Sequence, residues 1–233
     1  MFQRPTTYRD AFFENRRFDS DKWEHYFEIY DHLLGHLYGT DISYVEIGVQ
    51  NGGSLEVAKN LFGSGSKIIG VDIDQRCKSL EVAGIASKIV IGSQVDPVIL
   101  REIVGFSPEI DCLIDDGSHV QSHMITTFIN LFPYIKENGI YIIEDTHTGY
   151  SPEHQESFFG ISLYDYFKGL SERLNIDFID PDRRKVRFKM PRELRPSLPA
   201  PDDVLHQIFS IEFFDRVIAV RKRTKKEPLR IRK

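Results

Sequence analysis

The chain has little cysteine: two residues in 233, Cys77 and Cys112, too few for a disulfide framework. Cys112 falls inside an apolar run and reads as a reduced core residue, which points to a reducing, cytoplasmic setting. No apolar run approaches the roughly 20 residues that span a bilayer, and Met1–Tyr8 lacks the apolar core of a secretory leader. We therefore expect no transmembrane segment. There is no spaced zinc pattern and no RNA-binding signature, so no nucleic-acid partner is expected. Internal repeats and low-complexity tracts are absent too. Finally, the sequence lacks Gly-x-Gly-x-x-Gly. Gly48 is followed by Val49, Gln50 and Asn51, which argues against a nicotinamide-dependent oxidoreductase.

What is present is a globular composition: 41% hydrophobic and 12% aromatic residues support a sizeable core. The net charge of −5 is unevenly spread. Residues 41–150 hold 15 acids against 7 bases, whereas residues 181–195 carry 7 bases and 2 acids and residues 221–233 carry 8 bases and one acid. Basic runs of this kind are read first as solvated surface, although they can also attract phosphates or anionic lipids.

Residues 1–20 read as an arm. From Asp21, a candidate cap, apolar and aromatic residues recur at helical spacing through Leu37. Strand–helix alternation follows. Strands are expected at Ile42–Val49, Lys67–Ile73, Lys88–Ile91, Asp111–Ile114 and Ile140–Ile143. Helices are expected at Ser54–Phe62, weakly at Gln75–Ala83, at Pro97–Val104 with proline in its first turn, and at His119–Tyr134. Continuous apolar strands in this rhythm imply a parallel sheet covered on both faces. After Thr146 the rhythm breaks. Gly149–Gly160 reads as a loop, Ser162–Leu174 as a helix, Ile176–Asp180 and Lys185–Lys189 as short strands, and Arg192–Asp203, with three prolines, as a flexible cover. Ile208–Val220 reads as a strand pair turning near Phe214-Asp215. The expected fold class is α/β: a doubly wound, mostly parallel seven-stranded sheet, its last strand antiparallel, with an N-terminal helical extension. Residues 1–38 form the arm and helix. Residues 39–233 form the main domain, with lid segments near 149–160 and 190–205.

The loop Tyr44–Ser54 joins the first strand to its helix. Gly48 permits a tight turn, and Gly52 and Gly53 let a ligand approach the backbone and leave helix amides exposed. Glu46 could hydrogen-bond an amine. Glu-x-Gly-x-x-x-Gly, with an acid where pyrophosphate would be repelled, suits the zwitterionic end of S-adenosylmethionine. Asp72, about 20 residues beyond the loop, is placed for ribose hydroxyls; Asp74 could instead cap the following helix. Gln94, ending the third strand, is a candidate for adenine, with a plain strand-to-helix turn as the alternative. Ser54 and Asp115 complete the cofactor-side set.

Asp116 and the pair Glu144-Asp145 each end an apolar strand, and the 28 residues from Asp116 to Glu144 suit one helix and a return strand. Adjacent strands would gather these acids into one crevice. Three carboxylates together call for a cation, and hard oxygen donors suit magnesium, manganese or calcium. His119, three residues after Asp116, stands where a base could take a proton from a hydroxyl beside that cation. His123 reads as a helix support. His147 and Tyr150 read as lining a substrate pocket.

Together, Val45-Glu-Ile-Gly-Val49, Gly70-Val-Asp-Ile-Asp74, Ile114-Asp-Asp-Gly-Ser-His119 and Ile143–Tyr150 resemble, in order, the blocks of the class I, S-adenosylmethionine-dependent and metal-dependent sugar O-methyltransferases, those of macrolide deoxysugars in particular. Asp21–Tyr30 and Ile211–Val220 are similar to that family's opening and closing segments. The resemblance implies a sugar O-methyltransferase with S-adenosylmethionine and Mg2+ (or Mn2+) as cofactors. Asp116, Glu144 and Asp145 would hold the metal and His119 would be the base, with Lys22, His25, Tyr26 and Tyr30 helping to close the active site. The chain is shorter than the larger macrolide enzymes and has an unusual basic segment from Arg183 to Arg195. Polysaccharide or lipopolysaccharide sugars, anionic ones included, therefore stand beside an antibiotic as acceptor. Cephalosporin-hydroxylase-like proteins share similar blocks, so a different small-molecule enzyme remains an alternative, as does a non-catalytic glycan-binding relative. The aromatic N-terminal helix could support a homodimer or higher homo-oligomer.

Overall fold

The computed structural model describes residues 5–14, 17–175, 207–224 and 231. The strands expected at 176–180 and 185–189, the cover at 192–203, the lid at 190–205 and the basic segment at 183–195 lie outside the described residues.

Strands β1 (Ser43–Ile47), β2 (Lys67–Asp72), β3 (Lys88–Ile91), β4 (Ile110–Asp115), β5 (Ile135–Ile143), β6 (Ile208–Phe214) and β7 (Val217–Lys222) form one sheet in the order β3-β2-β1-β4-β5-β7-β6. β1 to β5 pair in parallel, and β7 runs antiparallel to both β5 and β6. This is the doubly wound arrangement expected. β1 is buried along its whole length because helices cover both faces, and the burial extends to its two polar residues, Ser43 and Glu46.

One face packs Val45, Ile47 and Leu113 against α5 (Pro97–Phe106), α6 (Gln121–Leu131) and α7 (Leu163–Glu172). The other packs Tyr44, Cys112 and Ile142 against α1 (Tyr8–Glu14), α2 (Tyr26–Leu34), α3 (Gly53–Leu61) and the single turn α4 (Ser79–Val82). Phe128, fully buried, meets Tyr141 and Phe167 edge-on at 5.3 and 5.0 Å. Truncating such a ring typically costs about 3–5 kcal/mol.

Register is what positions the site. Ile47 pairs with both Val71 and Asp115, and Asp115 pairs with Ile143. The next residues along (Gly48, Asp72, Asp116 and Glu144) therefore emerge side by side at the carboxyl edge.

Several expectations are corrected. The arm contains a helix, α1, whose Tyr8 stacks on Tyr30 at 4.4 Å. Asp21 caps nothing: α2 starts at Tyr26, and its cap position is His25, with no side-chain bond. β5 begins at Ile135, earlier than expected, through polar Lys136-Glu137-Asn138. The helix expected from His119 starts at Gln121, and His119 sits before it at φ 57°. Asp74 does act as a cap, accepting from the Arg76 amide at 2.8 Å. Asp96 caps α5 ahead of Pro97. Among the described residues no helix is long and apolar enough to cross a membrane.

Candidate active site

A cleft of about 660 Å³ lies along the carboxyl edge, bounded by the turns after β1 to β4 and by residues 19–22 of the arm. Gly48 has φ +88°, and a Cβ there would lie 1.9 Å from the Asp116 carbonyl oxygen. Only glycine lets the β1 turn sit this close to the β4 turn. Asp72 shapes the same loop: one carboxylate oxygen accepts from the amides of Val49 (2.9 Å) and Gln50 (2.8 Å), the other from Asp74 (2.9 Å).

The structure separates the cofactor-side candidates. Gly48, Ser54, Asp72 and Gln94 line the cleft; Glu46, Gly52 and Asp115 do not. Glu46 is buried beneath the loop and accepts from Ser54 and Tyr44; burial raises its carboxyl above the usual range. Gln94 reaches the cleft wall with its amide hydrogens given to Asp115 and Thr127, both at 3.0 Å, and its oxygen accepting from the Ser118 amide at 2.7 Å. Its position is that of a strut under the 116–119 turn. Asp115 is fully buried, and burial pushes its carboxyl up to about 7 against hydrogen bonds from Tyr141 and Gln94.

The acids meet as the strand register requires. Lys22, from the arm, donates to Asp116 Oδ2 and Glu144 Oε2, both at 2.6 Å. Tyr30 donates to the other oxygen of Glu144. Tyr26 donates to Asp145 Oδ1 at 2.6 Å. Burial keeps both phenols protonated, so they act as donors. Burial works against the Lys22 charge, but Glu144 and Asp116 outweigh it and hold its pKa well above normal. Burial, then Asp116, lifts Glu144 above the usual carboxylate range, and Lys22 and Tyr30 pull it back.

These contacts leave one oxygen on each of two acids facing His119. Its Nε2 is 3.9 Å from Asp116 Oδ1 and 4.0 Å from Asp145 Oδ2. One ligand atom from each of Asp116, His119 and Asp145 lies within 4.8 Å of the others. Two free carboxylate oxygens facing one point fit a small divalent ion, and the imidazole stands beside that point where a base would be needed. Glu144, a candidate ligand, stands beside them with both oxygens engaged. His119 Nδ1 has no partner among the described residues. Thr148 Oγ1 donates to the His119 carbonyl at 3.1 Å and holds this left-handed residue.

The remaining candidates spread around this centre. His147 Nδ1 lies 3.9 Å from Asp145 Oδ1. Tyr150 is largely exposed and stacks on Tyr164 at 6.1 Å. His25 meets the β6–β7 turn, its Nε2 3.3 Å from the Asp215 carbonyl oxygen and 3.6 Å from Asp215 Oδ2. His123 bonds Ser118 at 2.9 Å and supports the turn that carries His119. Sequence reasoning missed Asp19, Ser20 and Asn51 in the cleft wall. The arm offered no periodic signal, and only its folding back brings it here.

No family profile matches the chain. Over 151 residues it is 34% identical to the 8-demethyl-8-alpha-L-rhamnosyl tetracenomycin-C 2'-O-methyltransferase of Streptomyces olivaceus, covering 61% of this chain and 39% of that one. Over 147 residues it is 36% identical to the L-olivosyl-oleandolide 3-O-methyltransferase of Streptomyces antibioticus, covering 58% and 37%. The chain thus matches about two fifths of the length of these relatives. Among solved structures it resembles the MycE methyltransferase of the mycinamycin pathway in complex with Mg and SAH, with a TM-score of 0.69 and 26% identity, over 86% of this chain and 49% of that one. The complex of MycE with Mg, SAH and Mycinamycin VI superposes with a TM-score of 0.70 at 23% identity, over 91% and 53%. Sheet order, the matched segment and the solved neighbours converge: the chain has the class I methyltransferase fold, and its curated homologues are sugar O-methyltransferases.

Proposed function

We propose that this chain transfers a methyl group from S-adenosylmethionine to a hydroxyl of a sugar, on a glycan or a glycosylated natural product, with the help of a divalent ion such as Mg2+. The observation that carries this is the convergence of Asp116 Oδ1, Asp145 Oδ2 and His119 Nε2 beside a cleft whose other wall is the Gly48–Ser54 loop. The sugar O-methyltransferase activities of the curated homologues and the solved neighbour with Mg and SAH support it.

In this reading Asp116, Glu144 and Asp145 hold the ion, Glu144 once Lys22 or Tyr30 gives up one of its oxygens. A divalent ion bound there supplies positive charge that lowers the cost of ionising an alcohol. His119 Nε2 would accept the hydroxyl proton as the acceptor oxygen bonds to the sulfonium methyl in line and the methyl–sulfur bond breaks, leaving S-adenosylhomocysteine. Proton acceptance by a positioned base is worth about 10²–10⁴-fold; alignment within the cleft supplies much of the rest. Gly48, Ser54 and Asp72 border the cofactor. The 149–160 segment closes over the acceptor, an assignment supported by the 6.4 Å approach of the His154 and His119 rings. His147 and Tyr150 line that side. The reading includes a cytoplasmic site of action and a sugar acceptor, with no nucleic-acid partner.

The test is methyl transfer by the purified chain to a panel of glycosides, with Mg2+ or with a chelator. Metal-stimulated transfer is expected; full activity after chelation would remove the metal. Calorimetry with S-adenosylhomocysteine and NAD should show binding of the first alone.

A further inference from the structure

The acid cluster already contains a cation. Lys22 Nζ lies 2.6 Å from both Asp116 Oδ2 and Glu144 Oε2, and its side chain is only 5% exposed. It has little water around it and two carboxylates instead. Glu144 is equally enclosed: Lys22 takes one oxygen and Tyr30 the other. An ion that uses Glu144 must therefore take an oxygen from one of them. Lys22 also ends a strap. At the strap's other end the Arg17 amide donates to Glu56 at 3.3 Å. Between them the Asp19 carbonyl rests on Gly53, where a Cβ would lie 2.4 Å from it. Residues 19–22 form one wall of the cleft, so the strap covers the cleft while its lysine holds the acids.

We propose that the Lys22 ammonium and a divalent ion are mutually exclusive occupants of the Asp116–Glu144 pair, so that metal entry displaces Lys22 and loosens the 17–22 strap. The physical reason is crowding of like charge. An ammonium and a divalent ion on the same two carboxylates repel each other in a site too dry to screen them. Lys22 serves as a tethered counter-ion that keeps the acids together until the metal arrives, and it sets the metal's affinity. The inference rests on the metal reading above.

The chain carries its own reporter, because Trp23 is its one tryptophan and adjoins Lys22. The Arg216 guanidinium lies 3.8 Å from the Trp23 ring centroid. Calorimetric titration of the full chain with Mg2+ alone should give tighter binding, by about tenfold or more, in Lys22→Met and Lys22→Gln than in wild type. Tenfold corresponds to about 1.4 kcal/mol. Lys22→Arg, which keeps the charge, should not tighten it. Magnesium should also shift Trp23 emission in wild type, a measurement that needs no variant to fold. Equal or weaker binding in both neutral variants overturns the proposal and leaves the metal reading standing, as does wild-type binding with unchanged Trp23 emission. Absence of Mg2+ binding in every chain overturns both.

Discussion

The two halves of the cleft are held together differently. On the cofactor side the defining contacts are short in sequence: Asp72 reaches the loop amides across 23 and 22 residues, and Ser54 reaches Glu46 across 8. On the acid side they are long: Lys22 to Asp116 spans 94 residues, Tyr26 to Asp145 119, and Lys22 to Glu144 122. The first half is one βαβ unit and its own turns. The second half needs two strands and an N-terminal arm to arrive together, so it depends on the whole fold. Changes in the arm should therefore disturb metal binding while sparing the cofactor, and changes in the loop should do the reverse.

The largest effects expected are catalytic and fall on the acid side. Asp116→Ala or Asp145→Ala should lower methyl transfer by roughly 10³-fold or more, as loss of a metal's charge stabilisation does, and leave S-adenosylhomocysteine binding within about twofold in calorimetry. His119→Ala should cost about 10²–10⁴-fold in turnover without weakening Mg2+ binding as much as Asp116→Ala does. Loss of cofactor binding in either variant would show that the halves are not separable.

Next in size is a pH effect from the buried carboxyl that lies behind the cleft. Burial raises Asp115 from 3.8 to about 7, so the fold favours its neutral form. Stability is then greatest at low pH and is lost as pH climbs toward 7, by up to about 4 kcal/mol. Glu144, also raised by burial, acts in the same direction. The melting temperature of metal-free protein should fall between pH 5 and pH 8, and Asp115→Asn should flatten part of that slope. A Tm that rises over this range would contradict the assignment.

Gly48→Ala tests the seam itself. The positive φ and the collision with Asp116 should together cost about 3 kcal/mol in denaturant unfolding, and both Mg2+ and S-adenosylhomocysteine should bind more weakly. Smallest is Tyr26→Phe. It removes a 2.6 Å hydrogen bond to Asp145, worth about 1.5–3 kcal/mol for a charged acceptor. It should weaken Mg2+ binding but leave the cofactor half untouched.

Much of the fold was legible because burial on two faces favours apolar strands, and Ile68–Val71, Ile89-Val90 and Leu113-Ile114 show them. β5 was read short because Lys136-Glu137-Asn138 is polar, yet Lys136 bonds Asp111 at 2.8 Å and keeps the strand in the sheet. The acids were legible as strand-end residues, since a carboxylate after an apolar run has to emerge at an edge. Their division of labour was not. Nothing local says that Glu144 turns to Lys22 and Tyr30 while Asp116 and Asp145 keep an oxygen free, or that Gln94 gives its amide to Asp115. The α1 helix was hidden as well, because its seven residues take their stability from Tyr8 packing on Tyr30.

The amino-acid order by itself determined the strand–helix alternation, the glycine turn after β1 and the acids that end β4 and β5, because each follows from burial, backbone freedom or charge within a few residues. Only the tertiary structure decided which oxygens stay free and that the arm closes the cleft with a lysine. Those outcomes depend on side chains about a hundred positions apart competing for the same carboxylates, and no local rule ranks such partners.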